Sequence, residues 1–347
     1  MSEKLSFASD YMDGAHPSIL QRLSAENLRK HPGYGEDELC EAAREKIRAA
    51  CKAPGAGVWF LVGGTQTNAT VIDALLRPWQ GVAAADTGHI SVHEAGAIEF
   101  GGHKVLTLPH REGKISAEQV RQCCEGYRQD ANRDHTVMPG MVYISQPTEF
   151  GTLYSLRELE ALHGVCREYG IPLYADGARL AYALACGEND VTLPDLARLC
   201  DVFYIGGTKC GALFGEAVVI PDPKLLPHFF TIVKQHGALL AKGRLLGLQF
   251  DTLFTEGLYQ RIGRTAVELA DRIREGLRKG GVPQAFDAPT NQIFIRLEDE
   301  KLKRLSGQVE LSFWEKADGE HTVLRAATSW ATKPEQAEAL IACLTEA

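Results

Sequence analysis

Two stretches decide the fold of this chain: Ile171-Pro-Leu-Tyr-Ala-Asp176-Gly-Ala-Arg179, and, one helix later, Val202-Phe-Tyr-Ile-Gly206-Gly-Thr-Lys209-Cys-Gly211. Each is a short apolar, β-prone run that ends in a polar turn containing glycine. Such runs separated by a helix pair as parallel strands of one sheet, and ligands gather at the strands' C-terminal ends. Pro172 cannot donate to a ladder, so it marks the start of its strand or an edge position.

The same alternation continues outward. Val58-Trp-Phe-Leu-Val62 reads as a strand, followed by Gly63-Gly64 and a helix from about Thr67 to Leu76. Met141-Val-Tyr-Ile144 precedes a helix opening near Ser155, where Ser155-Leu-Arg-Glu158 is a capping box, and closing at Gly170. Ala217-Val-Val-Ile220 follows a glycine-rich turn. Beyond about residue 225 a helical region runs from Pro227 towards Lys279, broken near Gly243 or Gly257. Gln292-Ile-Phe-Ile-Arg296 and Thr322-Val-Leu-Arg-Ala326 read as strands, and a helix from Pro334 closes the chain. The expectation is an α/β protein with a mainly parallel, doubly wound sheet and a smaller α+β C-terminal domain. Residues 46–230 form the large domain and 231–347 the small one. Residues 1–45 show no strand pattern and pack with the small domain or on a neighbouring subunit.

A chain of 347 residues is long for a single core, which agrees with two domains. Its net charge of -8 argues against a general nucleic-acid binder, although isolated basic residues can still build a local anion site. The first ten residues lack the apolar stretch of a signal peptide. No segment approaches the roughly 18 apolar residues of a membrane span. The nine cysteines are odd in number and carry no metal spacing, so they read as reduced thiols in a cytoplasmic protein.

The strand ends carry groups that suit pyridoxal 5'-phosphate (PLP). That cofactor needs an amine for a Schiff base, an acid for its ring nitrogen, a nest for its phosphate and a flat partner for its ring. Lys209, flanked by glycines in a turn, is the amine. Asp176 reads either as the acid or as the N-cap of the following segment. Gly64 and Thr65, between a strand and a helix, offer backbone amides and a helix N-terminus to an anion, though strand–Gly-Gly–helix is also an ordinary turn. His89 either stacks on the ring or is a hydrogen-bonded turn residue. His93 and Glu94 beside it lack the order of a zinc motif, so no metal is expected. Arg179 and Arg325 can each fork onto a substrate carboxylate or form a surface ion pair.

With these motifs the chain resembles the low-specificity threonine aldolases of the β-eliminating lyase group, among the fold-type-I, aspartate-aminotransferase-like PLP enzymes. Phe7-Ala-Ser-Asp10, Gly33-Tyr-Gly-Glu-Asp37, Gly64-Thr65, the segment from Asp86 to Gly96 and above all Asp176-Gly-Ala-Arg179 match the group's motifs. The resemblance implies a carbon–carbon lyase that cleaves threonine or allo-threonine to glycine and an aldehyde. It places Lys209, His89 and Asp176 in catalysis and Ser9, Tyr34, Arg179 and Arg325 on the substrate. It also implies a homo-oligomer, dimer or tetramer, in which a basic residue reaches the phosphate from a neighbouring subunit. Lys242 is favoured for that part over Lys234 and Arg244. His89, or a water it orients, would take the β-hydroxyl proton.

Two departures stand out. Thr208-Lys209-Cys210 replaces the usual Ser-Lys-Gly, and Ser145-Gln-Pro-Thr-Glu149 lacks the histidine many members carry in that loop. The alternatives are a PLP lyase that releases pyruvate and ammonia by β-elimination, and a non-catalytic α/β protein that binds a phosphorylated ligand.

Overall fold

The computed structural model describes residues 4–346. The start of the 1–45 segment and the last residue of 231–347 lie outside them. In chain order the strands are β1 (Leu5–Ser6), β2 (Gly57–Leu61), β3 (Gln80–Ala85), β4 (Lys104–Leu108), β5 (Met138–Ser145), β6 (Leu173–Asp176), β7 (Val202–Gly206), β8 (Glu216–Ile220), β9 (Gln292–Glu298), β10 (Val309–Glu310), β11 (Ser312–Lys316) and β12 (His321–Ala327).

A seven-stranded sheet in the order β2-β8-β7-β6-β5-β3-β4 forms the larger layer. Only β8 opposes its neighbours; β3, β4, β5, β6 and β7 pair in parallel. The central strands read as continuous apolar runs because both of their faces are covered. Alternate residues serve opposite cores. Val142, Ile144, Leu173, Ala175, Phe203 and Ile205 enter one cluster, while Met141, Tyr143, Tyr174, Val202 and Tyr204 enter the other. Pro172 immediately precedes β6, which sits inside the sheet, so proline marks a start and not an edge.

Some local expectations shift. The helix after β2 spans Gly64–Leu75 and so begins at the glycine read as a turn. The linker 207–215 is too short for a crossover, which takes about a dozen residues, and this reverses β8. The long helical region breaks into Phe229–Gln235, Arg244–Leu253 and Leu258–Lys279, with left-handed Gly237 and Gly257 in the gaps. The helix Leu156–Tyr169 carries both halves of the Ser155–Glu158 capping box and stops at left-handed Gly170, as read from sequence.

A second sheet, β11-β12-β9, is antiparallel and has its own core, built with the helices Leu258–Lys279 and Pro334–Thr345. The N-terminal segment does contribute a strand. β1 pairs in parallel with β10, and Phe7 is buried in the smaller core. Two residues are too few for a period-2 pattern to register. Further on, the helices Pro17–Glu26 and Glu38–Ala50 are tied to Arg244–Leu253: Arg22 and Lys46 both meet the buried Asp251, at 2.6 Å each. All nine cysteines are free, and all but Cys123 and Cys343 are buried.

Candidate active site

Asp176 ends β6 and Lys209 lies just beyond β7, so the sheet itself brings them to one crevice. The glycines beside them let the two strand ends press together. A Cβ on Gly177 would stand 1.9 Å from the Tyr204 carbonyl oxygen, and one on Gly206 would stand 2.3 Å from that of Ala178. The backbone of Lys209 is anchored where its carbonyl accepts from the Tyr182 hydroxyl at 2.5 Å.

Asp176 is 4% exposed and receives four hydrogen bonds. Oδ2 accepts from the Tyr143 hydroxyl at 2.7 Å and from Asn68 Nδ2 at 3.0 Å. Oδ1 accepts from the Tyr204 hydroxyl at 2.6 Å and from the Ala178 amide at 2.9 Å. The two readings of Asp176 thus coexist, since one bond secures the following turn while the carboxylate faces the crevice. Burial alone would raise its carboxyl, but the nearby His89 and these donors hold it below the usual range.

His89 is oriented by its Nδ1, 2.7 Å from Oε1 of the fully buried Glu94. Asn68 donates to Glu94 as well as Asp176, at 2.7 and 3.0 Å, and so couples the histidine's partner to the strand-end acid. Glu94 is therefore part of a hydrogen-bonded chain. Among the described residues, no group of three His, Cys, Asp or Glu side chains is arranged to hold a metal.

The helix Gly64–Leu75 points its N-terminus at the same place. Its N-cap, Gly63, supplies no side-chain hydrogen bond, so the first amides are open to an anion. Gly64, Thr65, His89, Asp176, Arg179 and Lys209 all line one cavity of about 210 Å³. Tyr11, Ser145, Glu149, Tyr204 and Glu216 complete much of its wall. No hydrogen bond among the described residues reaches Lys209 Nζ. Burial, then Arg179, pushes its amine below the ordinary lysine value, against Asp10, Asp176 and Glu216. Burial also lifts the Glu216 carboxyl to about 7.

The carboxylate-gripping candidates meet on the segment 8–10. Arg179 is already forked onto Asp10, Nε at 2.6 Å and Nη2 at 3.0 Å, and Asn291 donates to the same carboxylate at 2.9 Å. Arg325, on β12, meets only neutral oxygens: Gln292 Oε1 at 3.2 Å, the Ala8 carbonyl at 3.4 Å and Ser312 Oγ at 3.5 Å. Burial, then the neighbouring Arg179, lowers its pKa to about 10. Its Nε and the Ser9 hydroxyl are buried without partners. Ser9 and Arg325 do not themselves line the 210 Å³ cavity; Ser9 faces a different hollow, with Asp13 and Ser329.

Tyr34 and Lys242 stand apart from that cavity. The Tyr34 amide donates to Ala241, next to the exposed Lys242, and the Tyr34 ring is 45% exposed beneath Lys234 Nζ at 4.4 Å. Both expectations therefore fall on one surface patch. Sequence reading gave no site role to Asn68, Tyr143, Tyr204, Asp10 or Glu216. Asn68 had a signal, lying about one helical turn from Gly64 on the same face. Tyr143 and Tyr204 lie on the two strands that flank β6, and their hydroxyls reach Asp176 from either side.

A family model for β-eliminating lyases matches residues 6–340. The low-specificity L-threonine aldolase of Pseudomonas sp. is 31% identical over 303 residues, 86% of each protein. The structure of the Leishmania major threonine aldolase superposes with a TM-score of 0.95 at 40% identity, covering 98% of both chains. Aspartate aminotransferase of Thermus thermophilus, 17% identical with a TM-score of 0.72, shares the fold over 99% of this chain and 91% of its own. From the strand-end acid and lysine to the family model spanning nearly its whole length, this chain belongs to the β-eliminating lyase family.

Proposed function

We propose that the protein is a PLP-dependent carbon–carbon lyase that cleaves threonine-type β-hydroxy-α-amino acids to glycine and an aldehyde. The observation that carries this reading is the convergence of Lys209, Asp176, His89 and the uncapped turn at Gly64 on one cavity. The donor set suits the cofactor: a carboxylate held ionised for a cationic ring nitrogen, open amides for a phosphate, and an amine without a partner. The 40% identity to the Leishmania major threonine aldolase supports the choice of reaction.

Lys209 would hold the cofactor's carbonyl carbon, Asp176 its ring nitrogen, and Gly64 and Thr65 its phosphate. His89 would lie against the ring, kept in place by Glu94. When bound, PLP supplies a sink for the electron pair released as the Cα–Cβ bond breaks. Asp176 favours that withdrawal because a full negative charge in a site of low dielectric keeps the ring protonated. Ser9 and Arg325, with their unpartnered buried atoms, receive the substrate carboxylate beside Arg179. In a cytoplasmic homo-oligomer, dimer or tetramer, the Tyr34 and Lys242 patch reaches a neighbouring subunit's site. Within the chain, residues 46–230 act as the cofactor-binding domain, 231–347 as the small domain, and 1–45 as the strap between them.

The test is Lys209→Ala. Wild-type protein should convert L-threonine or L-allo-threonine to glycine and acetaldehyde, and borohydride should fix a cofactor-sized mass on Lys209. The variant should lose both. Substantial turnover by the variant, or pyruvate and ammonia as wild-type products, would overturn the assignment.

A further inference from the structure

We propose that Glu149 is the base for the bond-breaking step, taking the proton of the substrate's β-hydroxyl; this rests on the aldolase reading above. The step balances within the site. The O–H pair becomes the aldehyde's C=O bond, and the proton passes to a Glu149 carboxylate oxygen. The Cα–Cβ pair stays with Cα, which later takes a proton to give glycine. Glu149 then returns its proton to solvent.

Apart from Tyr11, which is 58% exposed, the cavity's other titratable groups have partners or a role of their own. Both Asp176 oxygens are filled by donors. His89 is held through Nδ1 to Glu94, in keeping with a ring fixed as a flat support. Lys209 is the amine, and Glu216 Oε2 accepts from the Gly207 amide within the lysine's own turn, at 3.0 Å.

Glu149, unlike Glu216, is fixed to the backbone of His89 and not to the lysine's turn. It sits on the turn after β5 and lines the cavity. Its Oε1 is pinned by the Ser145 hydroxyl at 2.7 Å and the His89 amide at 2.9 Å. Among the described residues no hydrogen bond reaches Oε2, which leaves one fixed oxygen and one available oxygen. The carboxylate therefore stands beside the residue that would support the ring.

The charged and titratable groups facing it are Asp176, His89, Tyr143, Tyr154 and Arg179. Burial, reinforced by Asp176, raises its carboxyl, against Ser145, its own amide and His89. A raised carboxyl is a base only above its pKa, so cleavage should rise with pH through that value.

The experiment compares Glu149→Gln and Glu149→Asp with wild type. It follows cleavage, the cofactor's visible absorbance, and exchange of the glycine α-hydrogen for deuterium, a reaction with no β-hydroxyl. Glutamine preserves an oxygen for Ser145 and His89. The expected result is about a 100-fold fall in kcat for cleavage in the glutamine variant. The acid limb of its pH profile should vanish, with KM, absorbance and α-hydrogen exchange close to wild type. Aspartate should recover part of the rate. The proposal is overturned if the glutamine variant cleaves normally, or if cleavage and exchange fall together. It is also overturned if glutamine abolishes cofactor binding and aspartate restores binding without cleavage. A wild type that exchanges glycine yet never forms an aldehyde would instead remove the aldolase reading itself.

Discussion

Asp176 and Glu216 are both buried carboxyls in one cavity, yet their surroundings drive them apart. Asp176 gathers four donors and stays ionised, while Glu216 meets the Gly207 amide and is lifted to about 7. Glu216 therefore ties stability to pH. Its ordinary value is 4.5, so between that and about 7 the folded chain holds a proton the unfolded chain has lost. The resulting stabilisation is complete below about 4.5 and is lost as pH rises through about 7. Glutamine has no such dependence. Thermal melts of cofactor-free Glu216→Gln should thus gain on wild type as pH rises from 4.5 to 8, by about 3 °C or more. A constant difference across that range would remove the raised carboxyl. At this scale sequence exposed the groups that follow a strand within a glycine turn, Asp176 and Lys209. It hid Asn68, Tyr143 and Tyr204, because each is defined by a partner on another element. The Asn68–Asp176 contact joins residues 108 positions apart.

At the scale of elements, the crevice depends on how tightly β6 and β7 close at their C-terminal ends. Gly206→Ala would thrust a Cβ to 2.3 Å from the Ala178 oxygen, a backbone atom with no rotamer to escape into. We expect destabilisation of about 3 kcal/mol or more, with weakened cofactor uptake, read by thermal melting and absorbance titration. An unchanged melt would mean the strand ends can part without cost. Alternation and length made the parallel strands legible, since a central strand covered on both sides is apolar throughout. The reversal of β8 was encoded in linker length and not in the strand, whose composition is that of its parallel neighbours. β1 gave no signal at all, because two residues paired to a distant segment leave no local pattern.

At the scale of the whole molecule, the N-terminal strap joins the small core to the site. Phe7 is buried among Leu269, Ile293 and Leu340, and three residues later Asp10 holds both Arg179 and Asn291. Phe7→Ala should cost about 3–5 kcal/mol and lower the melting temperature. Because Asp10 follows directly, KM for the amino acid should rise several-fold in the same variant, while absorbance of the bound cofactor is kept; steady-state kinetics beside the melt would show it. A melting change with KM untouched would mean that the strap only fills the core. The placement of Arg325 has a further consequence. Asp10 neutralises Arg179, but the guanidinium of Arg325 touches only uncharged oxygens. An amino alcohol, an ester or an amide arriving there would leave a cation enclosed without a counter-charge. If Arg325 takes the substrate's carboxylate as proposed, such look-alikes would be turned away for the electrical debt they leave behind, whatever their size, and a newcomer would gain entry by completing the protein's own neutrality.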